Sequence, residues 1–270
     1  MNITERIKAD LDRRKEDSTF RILGQTNNLI DFASNDYLGL ARNERLIDRV
    51  KWNFDKTNSK TLGSGGSRLL SGNFPEVEEL ETLLAKVHGQ ESALVFNSGY
   101  VANLAVFSSI PKKMDLILYD DLIHACIKEG ARLSYAKHQS FRHNDLNDLE
   151  RKILLAEGNV FVAVESVYSM DGDFAPLMAL VNLCEKTGAN LIVDEAHSTG
   201  IYGNNGAGLV SQLGLDERVF IKVHTFGKGI GSHGAAVLSK QLIKEYLINF
   251  SRSFIYTTSI PPHSICNILE

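Results

Sequence analysis

From about residue 74 the chain alternates short, unbroken apolar runs with stretches of helical periodicity, and this alternation limits its fold more than any other feature. The runs lie at 93–96, 116–119, 160–164, 191–193, 219–223 (interrupted by Lys222) and 235–238, with helical patterns at 123–133, 145–155 and 176–186 between several of them. A strand that is apolar at every position is covered on both faces, unlike the alternating strands of a sheet with one wet side. The pattern therefore predicts an α/β fold, a mostly parallel sheet with helices on both faces. A first strong helix is expected after residue 73, with Asn73 as its cap and Pro75 in its first turn. Val77, Leu80, Leu83, Leu84 and Val87 form its apolar stripe, and Gly89 ends it. The preceding residues differ in texture: an amphipathic opening helix with Ile3, Ile7 and Leu11 on one face, a short strand pair near 29–32, and a glycine-serine loop. The expected division is an N-terminal arm at 1–50 and a large domain at 51–270.

Composition narrows the function classes. The 29 basic and 33 acidic residues give a net charge of -4, which leaves no basic footprint for nucleic acid. No stretch approaches the ~20 continuous apolar residues of a membrane helix, and the charged N-terminus lacks the apolar core of a signal peptide. Cys126, Cys184 and Cys266 are odd in number and widely spaced, so neither a disulfide framework nor a zinc site is expected. They read as buried apolar residues of a reducing cytoplasm. No metal is expected, because the eight histidines show no metal-ligand spacing. His88 and His138 read as surface residues, while His124 and His197 each follow a strand end.

In open α/β sheets ligands bind beyond the carboxyl ends of the strands, and three segments fall there. Asp194-Glu195-Ala196-His197 follows one run; Asp194 either accepts a bond from a ligand nitrogen or caps the next helix, and the segment alone leaves both open. Thr225-Phe226-Gly227-Lys228-Gly229 follows another. A lysine between glycines sits on backbone that a ligand can approach closely, and a desolvated lysine suits Schiff-base chemistry. An isolated Gly-Lys-Gly is more often a solvated loop. Asn97-Ser98-Gly99-Tyr100 joins a strand to a helix whose free amides suit a phosphate, and it equally fits an ordinary turn. Gly229-Ile230-Gly231-Ser232-His233-Gly234 matches the dinucleotide fingerprint, but a strand rather than a helix follows it, so that reading is rejected.

Taken together, these segments resemble the α-oxoamine synthases, a branch of the fold-type I enzymes that use pyridoxal 5'-phosphate (PLP). The resemblance spans nearly the whole chain. It rests on Phe32-Ala33-Ser34-Asn35-Asp36-Tyr37-Leu38-Gly39-Leu40, Gly63-Ser64-Gly65-Gly66-Ser67-Arg68 and Glu165-Ser166-Val167-Tyr168-Ser169-Met170-Asp171-Gly172-Asp173. Asp194-Glu195-Ala196-His197-Ser198-Thr199-Gly200 and the run 225–228 complete it. The spellings around Ser34-Asn35-Asp36 and Lys228 favour the branch that condenses L-alanine with a pimeloyl thioester, carried by CoA or acyl carrier protein, in biotin biosynthesis. Branches that act on other amino acids and acyl groups are the alternative, as is a PLP-binding module without catalysis.

The resemblance implies roles residue by residue. Lys228, His124 and Asp194 form the catalytic set: Lys228 is the Schiff-base lysine, Asp194 pairs with the pyridine nitrogen and His124 stacks on the ring. His197 and Ser169 bond the phenolic oxygen. The Gly99 and Tyr100 amides and the Thr225 hydroxyl hold the phosphate. Thr257 and Thr258 reach the phosphate of a neighbouring subunit, so a homodimer with shared sites is implied. Arg21, Asn35 and His124 contact the substrates. Family members continue past residue 270 into a smaller C-terminal domain carrying an arginine for the amino-acid carboxylate.

Overall fold

Seven strands form one sheet in the order β1-β7-β6-β5-β4-β2-β3. They are β1 (Ser92–Phe96), β2 (Leu116–Asp120), β3 (Lys137–Phe141), β4 (Val160–Glu165), β5 (Asn190–Asp194), β6 (Ile221–Thr225) and β7 (Ala235–Ser239). Six run in one direction; β7 alone is reversed and lies antiparallel between β1 and β6. The computed structural model describes residues 2–24 and 29–270, which divide by their contacts into two units, Met1–Ser34 and Asn35–Glu270. The sheet lies wholly in the second.

Within the first unit, α1 (Ile3–Glu16) starts at a capping box. Asn2 accepts the Glu5 N–H while the Glu5 carboxylate returns a bond to the Asn2 N–H. None of its residues is buried. The strand pair expected near 29–32 is absent from the described residues: Leu29, Ile30 and Phe32 are exposed, with no ladder partner.

The second unit contains ten α-helical segments among its described residues: α2 (Glu44–Phe54), α3 (Pro75–Val87), α4 (Gly99–Ser109), α5 (Ala125–Leu133), α6 (Leu146–Ile153), α7 (Leu177–Thr187), α8 (Leu209–Gln212), α9 (Gln241–Phe250), α10 (Arg252–Ile255) and α11 (Pro262–Leu269). The strand pleat sends successive side chains to opposite faces, and each face has its own core. Phe161, Ala163, Ile192, Ile221 and Val223 pack with Ala102, Val106, Phe107 and Ile127 of α4 and α5 on one side. Val160, Val162, Val164, Leu191 and Val193 pack with Leu149, Leu177, Leu180 and Val181 of α6 and α7 on the other. A third cluster joins Val77, Leu80 and Leu84 of α3 to β1, β7 and Ile265 of α11. No described helix is long and apolar enough to cross a membrane.

Three expectations need correction. α3 is capped by Phe74 without a side-chain bond; Asn73 instead accepts from Arg68 and donates to Glu78. His88 is buried rather than superficial, its Nδ1 3.0 Å from the Ala207 carbonyl and its ring 4.0 Å from that of His224. Desolvation lowers its pKa to about 4. Strand β6 begins two residues later than the apolar run, because its pairing with β5 starts at Ile221 opposite Ile192, and it continues through the buried His224 to Thr225. The Lys222 ammonium is fully buried on the His88 carbonyl and Asp216.

Candidate active site

Every strand of this sheet except β3 and β7 delivers a polar group from its carboxyl end to one cavity of about 230 Å³. β1 leads to Ser98, Gly99 and Tyr100, β2 to His124, β4 ends in Glu165, β5 in Asp194, and β6 runs into Thr225 and Lys228. Reversed β7 adds its start, with His233 and Gly234 at the same rim.

One end of the cavity suits an anion. Ser98 caps α4 by accepting the Val101 N–H, which leaves the Gly99 and Tyr100 amides of the first turn without helical acceptors. Such amides, together with the helix dipole, attract phosphate or carboxylate. Thr225 closes this end. Its hydroxyl is buried without a partner, so it remains a donor to whatever enters. A Cβ on Gly99 would come within 2.4 Å of the Thr225 Cγ2, so the approach requires glycine.

The floor carries two carboxylates. Asp194 is 5% exposed; Asn103 Nδ2 donates to its Oδ2 at 2.7 Å and the Ala196 N–H to its Oδ1 at 2.9 Å. Glu165 is buried beside it and accepts the His124 N–H at 2.7 Å. Burial, and then the charge of Asp194, raise the Glu165 pKa well above the usual glutamate value. His124 caps α5, its Nδ1 accepting the Cys126 N–H at 3.2 Å and lying 3.0 Å from the Cys126 sulfur. Desolvation pushes that thiol up to about 12, so it stays protonated.

Lys228 forms the third wall. Desolvation lowers its pKa against the opposing pull of Asp194 and Glu165, which favours a nucleophilic amine. Its Nζ lies 2.7 Å from His197 Nε2. Tyr37 Oη lies 2.7 Å from His197 Nδ1 and donates to Asn35 Oδ1 at 3.1 Å. Desolvation, followed by the Lys228 charge, lowers the His197 pKa to about 4.

The structure thus gathers Gly99, Tyr100, His124, Asp194, Thr225 and Lys228 around one cavity. His197 and Asn35 join it through Lys228 and Tyr37. Ser169 is exposed, its N–H bonded to Glu165. Thr257 and Thr258 lie outside the cavity, accepting from Asn97 through the Thr257 hydroxyl and the Thr258 carbonyl. Arg21 is exposed and belongs to the Met1–Ser34 unit. Sequence reasoning gave no site role to Asn103, Cys126, Glu165 or Tyr37, although Glu165 and Tyr37 fall within the motifs that carry the resemblance. Asn103 had a signal: an asparagine four residues after Gly99 falls on the buried face of α4.

A model of the aminotransferase class I and II family matches residues 27–269. The chain belongs to this family. Among curated members, the 8-amino-7-oxononanoate synthase of Emericella nidulans is 45% identical over 92% of the chain and 65% of its own length. That of Chlorobaculum parvum is 42% identical over 97% of the chain and 71% of its own length. The chain therefore spans only part of each of these aminotransferase-family relatives. A solved serine palmitoyltransferase from S. paucimobilis, carrying PLP joined to myriocin, superposes with a TM-score of 0.88 at 29% identity, covering 99% of this chain and 71% of that one. The expected fold-type I sheet and the resemblance to the α-oxoamine synthases are both borne out.

Proposed function

We propose that this chain binds PLP through Lys228 and serves a PLP-dependent acyltransferase that condenses L-alanine with a pimeloyl thioester, releasing carbon dioxide, the free carrier thiol and 8-amino-7-oxononanoate. The observation that carries the proposal is the convergence of three unlike groups on one cavity: free amides and an unpartnered hydroxyl, a buried carboxylate, and a desolvated amine. They fit a phosphate, a pyridine nitrogen and an aldehyde in turn. The names of the curated relatives, 8-amino-7-oxononanoate synthases, support the product.

When bound, the protonated pyridine ring supplies an electron sink that no side chain offers. The chain's residues do the rest. Asp194, fixed by Asn103 and the Ala196 amide, would keep a proton on the ring nitrogen. Lys228, as a free amine, would accept the α-proton of the amino acid on Nζ. The Gly99 and Tyr100 amides with Thr225 would anchor the phosphate, and His124, which lines the same cavity, would stack on the ring. Thr257 and Thr258 would serve the partner's site in a homodimer, and Arg21 the acyl carboxylate.

Added PLP should give the protein a visible absorption band that Lys228→Ala lacks. L-alanine should shift it, and pimeloyl-CoA should then release free CoA. Absence of the band would overturn the cofactor assignment. Release of CoA with serine and a long-chain acyl thioester, but not with alanine and pimeloyl-CoA, would favour the alternative raised by the serine palmitoyltransferase likeness.

A further inference from the structure

Outside the groups already given roles, Tyr37 is the polar side chain whose bonds have a direction that reaches Lys228. The Asn35 Oδ1 is an acceptor only, so the 3.1 Å contact requires the Tyr37 hydroxyl to donate its single proton there. The Tyr37 oxygen, 2.7 Å from His197 Nδ1, must then accept from that nitrogen. In a neutral ring, one nitrogen carries the proton and the other a lone pair. His197 Nε2 is therefore bare, and Lys228 donates to it across 2.7 Å.

We propose that Tyr37 is a positioning residue: by accepting the His197 Nδ1 proton it fixes the imidazole tautomer, and so leaves the Lys228 lone pair free to face the cavity. The opposite tautomer would place a proton on Nε2 and aim it at Nζ, tying up the lone pair. Resting on the cofactor assignment above, the consequence concerns capture of an aldehyde. The Nζ lone pair forms the C–N bond to the carbonyl carbon, two amine protons are given up, and the carbonyl oxygen departs with them as water. That reaction starts only from an amine whose lone pair is unengaged. Burial keeps His197 neutral, so the direction of the chain persists at neutral pH.

The Tyr37 side chain is half exposed, so Tyr37→Phe removes one hydroxyl with little effect on packing. The test uses the full chain with 15N-labelled histidine, free of PLP, and reads the ring nitrogens of His197 by NMR. The wild type should carry its proton on Nδ1, and Tyr37→Phe should move population towards the Nε2-protonated form. A second readout is the rate at which added PLP develops the visible band, expected to slow roughly tenfold in Tyr37→Phe, the scale of one hydrogen bond's bias. An Nε2-protonated wild type, or the same tautomer in both proteins, would overturn the role of Tyr37. An unchanged capture rate despite a tautomer shift would also overturn it. A wild type that forms no band would refute the cofactor assignment alone, since the NMR comparison needs no PLP.

Discussion

His143 stands between two carboxylates from different parts of the site's surroundings, its Nδ1 2.7 Å from Asp120 at the end of β2 and its Nε2 2.7 Å from Asp173. Asn144, at a positive φ of 54°, adds its own N–H to Asp120 and its side-chain amide to Asp173. The clamp holds closed the small loop from Val167 to Phe174, on which Ser169 sits. Desolvation alone would lower the His143 pKa; the bonds to Asp120 and Asp173 outweigh it and raise the value. A raised folded value means the stabilisation is complete below the ordinary histidine pKa and is lost as pH climbs through the folded one. Urea unfolding should thus show less stability at pH 9 than at pH 6. His143→Gln should cost about 1–3 kcal/mol at pH 6 and flatten that slope. Equal slopes in the two proteins would remove the clamp from consideration.

Glu165 predicts a slope of different origin. Its folded pKa is raised, first by desolvation and then by Asp194, so the unfolded chain releases this proton at lower pH than the folded one. Stability from this group falls as pH rises from the usual glutamate value to the raised one, and the cost then stays constant. Glu165→Gln keeps an oxygen for the His124 N–H and cannot ionise. It should be more stable than wild type at pH 8, on the order of 1 kcal/mol, and equal to it at pH 4. Thermal unfolding at the two pH values decides this.

Asn103→Leu tests how firmly Asp194 is held. The leucine keeps similar volume but removes the 2.7 Å donor to a buried carboxylate, a loss of about 1.5–3 kcal/mol. Denaturant midpoints should fall accordingly, and PLP should bind more weakly. Unchanged affinity alongside reduced stability would show that the Ala196 amide alone orients the carboxylate.

Gly99→Ala probes the anion end. The new Cβ meets the Thr225 methyl at 2.4 Å and turns the hydroxyl away from the cavity. Affinity for PLP, titrated by absorbance, should weaken roughly tenfold, about 1.4 kcal/mol. Tight binding retained in this variant would place the phosphate elsewhere.

Much of this architecture was legible in the sequence because doubly covered strands are apolar without interruption. Strands β1, β2, β4, β5 and β7 fall within a residue or two of their apolar runs. Strand β3 was not legible: its sequence Lys-His-Gln-Ser-Phe lies at the sheet edge, largely exposed, where no apolar signal is needed. Strand β6 was displaced because its buried Lys222 and the Nδ1 of its buried His224 bond partners far along the chain, which local pattern cannot reveal. The site shows the same split. Position at a strand end made Asp194 and Lys228 candidates, whereas Tyr37 and Asn103 enter through bonds to residues 160 and 91 positions away.

The reversed strand has a consequence for how the protein comes to exist on the ribosome. β1 pairs with β7 alone, Ser92 opposite Ser239, so the first strand made waits for the last before it gains a neighbour. Contacts of such long sequence separation slow folding. Lys228 lies in the link between β6 and β7, so the amine reaches its pocket only when β7 inserts and closes the sheet. A nascent chain halted before residue 235 would offer β1 and β6 as open edges to a chaperone.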